Sequence, residues 1–222
     1  MDLESSLRLV ESFSSGTSLT ERISDIEATL PHKNKKQIEK FLNNEKINSD
    51  VLQGALKIKE VAGQINVVIH SVGILVLLSS ILDENEEITY LSLGAGNTGK
   101  NFDLETNKRI AEFKFINWRG GADSIRQNSL FIDLFNLVEH ETDKRRCLYV
   151  IDKKHPIRFL YGQRSINSIL SKNQSVNKRF FDKYGDKYKI VSEYYRDISN
   201  MVEIIDVNDI VPYFEVFPID NI

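Results

Sequence analysis

Between Val51 and Phe115 the apolar residues change period, and no other feature of the chain restricts its fold as much. Val51, Leu52, Ala55, Leu56, Ile58, Val61, Ile65, Val68, Ile69, Val72 and Leu75 recur at helical spacing. One long helix over 49–82, or two joined near Gly63, is predicted to pack on a sheet. After the acidic turn Asp83 to Glu87 the spacing becomes that of strands, at Ile88 to Leu93, Phe102 to Thr106 and Ile110 to Trp118. Three antiparallel strands follow. Gly120 and Gly121 close this meander, and helical spacing returns over Ala122 to Glu141 through Ile125, Leu130, Phe131, Leu134, Phe135 and Val138. A strand at Cys147 to Ile151, helices at Ser165 to Leu170, Val176 to Tyr184 and Glu193 to Met201, and a strand at Val202 to Val207 complete the reading. The predicted class is α/β, a central mixed β-sheet flanked by helices.

Residues 1–48 read separately, as three short helices: Leu3 to Phe13, Ser18 to Leu30 with a capping box formed by Ser18 and Glu21, and Asn34 to Leu42. They are taken as an acidic helical N-terminal appendage that forms a homodimer or meets a partner protein, and 49–222 as the main domain. One cysteine, Cys147, excludes an internal disulfide framework and sits in an apolar run as a buried thiol. The first 30 residues lack the basic start and apolar core of a signal peptide. The most apolar window, Ile65 to Leu82, is broken by Asn66, His70, Ser71, Ser79 and Ser80, so a buried helix is expected and no membrane partner. A cytoplasmic protein is expected.

The net charge of −3 is unevenly spread: from Asp143 to Lys189, 13 Lys plus Arg stand against 4 Asp plus Glu, a local +9. Such segregation suggests one basic face for a polyanion.

Within FDLETNKRIAEFKF, Asn107 and Lys108 suit the tip of a two-residue hairpin. Thr106 then faces Arg109, and Asp103 faces Glu112, with Lys114 next on the same face. Phe102, Leu104, Ala111, Phe113 and Phe115 form the opposite, apolar face. Carboxylates directly across a strand pair repel one another. A hard cation relieves that repulsion, and two carboxylates are a suitable oxygen site for Mg²⁺, the other positions going to water and a phosphate oxygen. Such an ion lowers the pKa of a bound water and neutralises charge developing on a phosphate. Lys114 is placed to hold the water or stabilise the same charge.

Asp103, then Glu112-Phe113-Lys114 in an apolar strand, then a helix bearing Gln127, resembles the PD-(D/E)XK nuclease superfamily over roughly Ser49 to Ile151. The resemblance implies a restriction-endonuclease-like core and hydrolysis of DNA phosphodiester bonds, with endonuclease favoured over exonuclease. It leaves restriction of foreign DNA and repair both open. It implies Asp103 and Glu112 as metal ligands, with the Phe113 carbonyl and Glu60 as further candidates, Lys114 as the water-positioning residue and Gln127 as a supporting one. The metal would be Mg²⁺, with Mn²⁺ as its substitute. Phe102 stands where the family name has proline. Just beyond the site, Arg119 or Arg126 would contact a phosphate and Trp118 would stack on a base.

GAGNTGK places Gly94, Gly99 and Lys100 at the spacing of a phosphate-cradling loop, but Asn101 follows where Ser or Thr should bind Mg²⁺, and a strand where a helix must begin. A wide turn is expected. His32, His70, His140 and His155 lack metal-ligand spacing. The competing reading of the chain is a non-catalytic nucleic-acid or protein binding module on the same fold.

Overall fold

The computed structural model describes residues 1–14, 16, 18–94, 99–115, 118 and 123–211. It divides into two compact units, Met1–Asn66 and Val67–Ile222, with the division inside a helix.

The first unit contains α1 (Leu3–Ser14), α2 (Leu19–Thr29), α3 (Lys35–Asn44) and the start of α4 (Ser49–Ile81). Capping boxes start α2 at Ser18 with Glu21 and α3 at Asn34 with Gln37. Arg22 donates to the Phe13 carbonyl and pairs with Glu45 at 2.8 Å, tying the helices together. Gly54 lets α4 approach α1, since a Cβ there would stand 3.2 Å from the Ser6 carbonyl oxygen.

The second unit is built on a five-stranded sheet in the order β1 (Ile88–Leu91), β2 (Leu104–Thr106), β3 (Arg109–Lys114), β4 (Arg145–Val150) and β5 (Glu203–Asp206). The β1–β2 and β2–β3 pairs are antiparallel, and the β3–β4 and β4–β5 pairs parallel. The class is α/β with a mixed open sheet. Between β3 and β4 lies α5 (Ser124–Glu139). Between β4 and β5 lie α6 (Lys154–Leu160), α7 (Ile166–Leu170), α8 (Gln174–Tyr184) and α9 (Val191–Ile198).

Parallel strands need cover on both faces, and two cores supply it. Ile74, Leu77 and Ile81 of α4 pack with Leu104, Ala111, Phe113, Phe115, Cys147 and Tyr149. On the other face Ile110, Leu148 and Val150 meet Leu130, Phe131 and Leu134 of α5 and the aromatic residues Phe180 and Tyr194. The expected hairpin faces are corrected in one respect: Phe102 belongs to the second core, because residues 101–103 bend before β2 begins and strand alternation does not reach back to it. The face carrying Glu112 and Lys114 lies beneath α5.

The expectation of a buried helix over Ile65 to Leu82 is also corrected. By length and composition α4 would suffice to cross a membrane, yet only 17% of its most apolar window is buried. Its sheet-facing stripe is enclosed, whereas Val68, Val72, Leu75 and Val76 are about half exposed. The helix is apolar all round, so periodicity alone could not separate a covered side from an open one. Gly73 permits the contact below it, since a Cβ would stand 2.8 Å from the Phe115 ring.

A buried ion pair locks the hairpin to its neighbours. Arg109 grips Glu86 at both oxygens, 2.6 and 2.5 Å, and donates to the Tyr149 hydroxyl at 3.0 Å. The Thr106 hydroxyl donates to Glu86 at 2.6 Å and accepts from the Arg109 amide at 2.9 Å. Burial raises the Glu86 pKa, but the Arg109 guanidinium and the Thr106 hydroxyl outweigh it and hold the carboxyl at about 2. Removing one partner of such a pair leaves a buried charge alone, at a cost of about 3–5 kcal/mol. Urea unfolding should therefore show Glu86→Gln destabilised by roughly that amount, while Glu86→Leu combined with Arg109→Met loses much less. Equal losses in the two variants would overturn this account of the pair.

Candidate metal and catalytic site

The hairpin register matches the expected one: Leu104 pairs with Ala111 and Glu105 with Ile110, and the Asp103 amide donates to the Ala111 carbonyl at 3.0 Å. Asp103 lies just before the paired register, in the bend that leads into β2. Asp103 Oδ2 accepts the Phe113 amide at 3.0 Å, and its other oxygen lies 3.4 Å from His70 Nε2 on α4. In an extended strand a residue's carbonyl points to the same edge as its amide, so the Phe113 carbonyl faces the Asp103 side. Lys114 Nζ stands 2.7 Å from Glu112 Oε1 and 2.7 Å from Asp133 Oδ2, and the Ser129 hydroxyl donates to Asp133 at 3.1 Å.

Asp103, Glu112 and Lys114 are therefore brought together, with Asp133 and His70 added. Asp133 is the residue that the sequence reading missed. Its signal was a carboxylate three residues after Leu130 and four before Leu137, at the edge of the apolar stripe of α5. His70 adjoins the buried stripe of α4, one turn before Ile74.

The electrostatics follow from enclosure. Burial, reinforced by Asp133 and Asp103 and opposed by Lys114, pushes the Glu112 carboxyl up to about 8. Burial lowers the Lys114 pKa, but the Asp133 and Glu112 carboxylates outweigh it and hold the ammonium above its ordinary value. Lys114 is thus a cation and hydrogen-bond donor at neutral pH, not a proton acceptor. Glu112 and Asp133 share one lysine and Asp103 adds its negative charge nearby, so Glu112 retains a proton where no other cation is near.

A hard divalent cation fits this donor set in charge and atom type. Mg²⁺ is commonly held through one or two carboxylates, the rest of its shell being water and substrate phosphate. Asp103, Glu112 and the Phe113 carbonyl offer such a partial set. Among the described residues no three His, Cys, Asp or Glu side chains converge into a ready-made cage.

The remaining candidates lie elsewhere. Glu60 is exposed, pairs with Lys57 at 3.0 Å and falls in the first unit. Gln127 accepts a hydrogen bond from Arg164 and faces a cavity lined by Arg158 and His155. Arg126 is engaged by Asp123. Trp118 is a core residue, 6% exposed and 6.0 Å from Phe159 between ring centroids, with its free edge on that same cavity. Arg119 lies outside the described residues, as do 95–98 of the glycine-rich loop. Lys100 of that loop pairs with Glu105 and lies over the Tyr90 ring at 4.8 Å, which accords with a turn. The basic segment is partly neutralised within the fold: Lys144, Arg145, Lys153, Lys183 and Lys187 pair with Glu105, Glu203, Asp209, Glu139 and Asp197.

The Glu112 shift has a sign that can be tested. Folded, the carboxyl keeps its proton up to about 8; unfolded, only up to its ordinary 4.5. The folded state binds the extra proton, so its stabilisation is complete below 4.5 and is lost as pH rises through about 8. With divalent cations chelated, the melting temperature should fall across this window, and Glu112→Gln should flatten that part of the profile. A profile of wild-type slope in the variant would assign the titration to another group. Compared with protein-family models, curated proteins and solved structures, the chain finds no match in any of the three.

Proposed function

We propose that this chain is a metal-dependent nuclease hydrolysing DNA phosphodiester bonds, with the hairpin cluster as its catalytic centre on a restriction-endonuclease-like core. The observation that carries the reading is the enclosed cluster on β3, where Lys114 lies 2.7 Å from both Glu112 and Asp133 and the Asp103 carboxylate, which accepts the Phe113 amide, is near enough to disfavour the charged form of Glu112. Enclosed carboxylates in excess over cationic groups are a costly arrangement for stability alone, and perturbed groups of this kind concentrate at functional sites.

Asp103, Glu112 and the Phe113 carbonyl would hold Mg²⁺, or Mn²⁺ in its place. When bound, the ion acidifies water and offsets charge building on the phosphate. Lys114, protonated, donates to the attacking water or to a non-bridging phosphate oxygen. Asp133 fixes the Lys114 ammonium in position, and Ser129 fixes Asp133. His70, against Asp103, orients that carboxylate. An endonuclease is favoured over an exonuclease, in defence against foreign DNA or in repair.

One observation favours a second reading, a non-catalytic binding module. Glu112, Lys114 and Asp133 already form a closed set of ion pairs, which an enclosed sheet face could keep for structural reasons alone.

Purified protein with supercoiled plasmid and Mg²⁺ or Mn²⁺ should nick the DNA, and EDTA should stop it. Asp103→Ala and Lys114→Ala should each lower the rate by about 100-fold or more, with circular dichroism spectra unchanged. Well-folded wild-type protein that cleaves neither plasmid nor single-stranded DNA in either metal would overturn the nuclease reading in favour of the binding module.

A further inference from the structure

Apart from the hairpin cluster, the second unit holds an open cavity of about 330 Å³ walled by Trp118, Phe159, Gln127, His155, Arg158 and Arg164. The volume lies within the range of small-molecule sites, about 300–1,000 Å³. Among the described residues no Asp or Glu lines it. Arg164 is half-buried, and its guanidinium is held by neutral acceptors only, the Gln127 amide oxygen and the Ser124 carbonyl. Burial draws its pKa below the ordinary value with no carboxylate to restore it. Arg158 projects from α6 with no hydrogen bond or ion pair among the described residues. Both contrast with Arg109, Arg126 and Arg145, each of which has its carboxylate.

Uncompensated guanidinium groups around a concave site select an anion, and their fork geometry suits phosphate oxygens. The aromatic wall adds a second requirement. Trp118 and Phe159, 6% and 7% exposed, contribute an apolar edge to the wall beside the arginines, against which a nucleobase can pack and inorganic phosphate cannot. Trp118 also borders a small cleft lined by Lys114, Arg126 and Ser129, so the cavity adjoins the cluster on the side where Lys114 lies.

We propose that this cavity binds one nucleotide, its phosphate between Arg158 and Arg164 and its base along Trp118. The ligand is a unit of a DNA strand or a free nucleotide, which share that chemistry. The strand form rests on the nuclease reading, and nucleotide binding itself does not. Gln127 is then a positioning residue that aims Arg164 into the cavity.

Trp118 is the only tryptophan in the chain, so fluorescence comes from the wall that this cavity shares with the Lys114 cleft, and the arginine variants assign the response to the cavity. Titrations in EDTA, where metal-dependent cleavage is absent, would use a deoxynucleoside 5′-monophosphate, the matching nucleoside, inorganic phosphate and a short single-stranded oligonucleotide. Saturable change is expected with the monophosphate, with at least tenfold weaker binding of the nucleoside and of inorganic phosphate. Tighter binding of the oligonucleotide would identify a strand as the source; tighter binding of the monophosphate would identify a free nucleotide. Arg158→Gln, at an exposed side chain with no structural partner, should weaken binding at least tenfold. Arg164→Lys should do the same. No saturable change with either nucleotide form, equal affinity for inorganic phosphate, or unchanged affinity in Arg158→Gln would overturn the proposal. Nucleotide binding without cleavage would sink the nuclease reading alone. Cleavage without a response from Trp118 would sink the cavity alone.

Discussion

Arg109 reaches the turn before β1 through Glu86, the hairpin tip through Thr106 and β4 through Tyr149, all within one buried network. Three segments far apart in sequence are thus held by one guanidinium. A strand that slips by one residue turns every side chain to the other face. In β3 such a slip would carry Glu112 and Lys114 into the core beneath α4 and send Ala111 and Phe113 toward α5. The geometry of the candidate site is therefore downstream of an ion pair that takes no part in its chemistry.

Enclosure then converts placement into electrostatics. On an open antiparallel face, Asp103, Glu112 and Lys114 would be ordinary solvated charges, worth about 0–1 kcal/mol as pairs. Under α5, Glu112 is 7% exposed and keeps its proton to about 8, while Lys114 stays charged between two carboxylates. The arrangement is poised for an added cation, because the ion would replace a proton that the fold holds only for want of positive charge. That property arises from the β3–β4 parallel pair, which obliges both faces of the sheet to be covered.

The parts legible in the sequence were those set by local rules. The turn at Asn107 and Lys108, the hairpin register that pairs Leu104 with Ala111 and the capping box at Ser18 depend on neighbours close in the chain, and all three are found, while Asp103 falls just outside the paired register in the bend before β2. What escaped was set by tertiary cover. Asp133 joins the cluster across space from α5, and nothing in its own helix distinguishes it from a surface acid beyond its place beside the apolar stripe. Gln127, one helical turn and a half earlier, faces Arg164, because α5 carries its two polar edges toward different neighbours. The helix α6 was hidden by Pro156 and by a basic run, although proline is tolerated in the first turn, where its missing amide has no partner to lose.

Charge balance links the cluster to the cavity. A chain of net charge −3 has little long-range attraction for a polyanion, and its most basic segment turns out to place Lys144, Arg145, Lys153, Lys183 and Lys187 against the chain's own acids. Arg158 and Arg164 are spared that neutralisation, and they stand where Trp118 separates the cavity from the Lys114 cleft. Attraction for phosphate is thus concentrated in a short-range site beside the cluster instead of spread over a face. Screening by salt acts most on exposed charges and least on enclosed ones, so the exposed Arg158 would lose more of its pull to ionic strength than the half-buried Arg164 would.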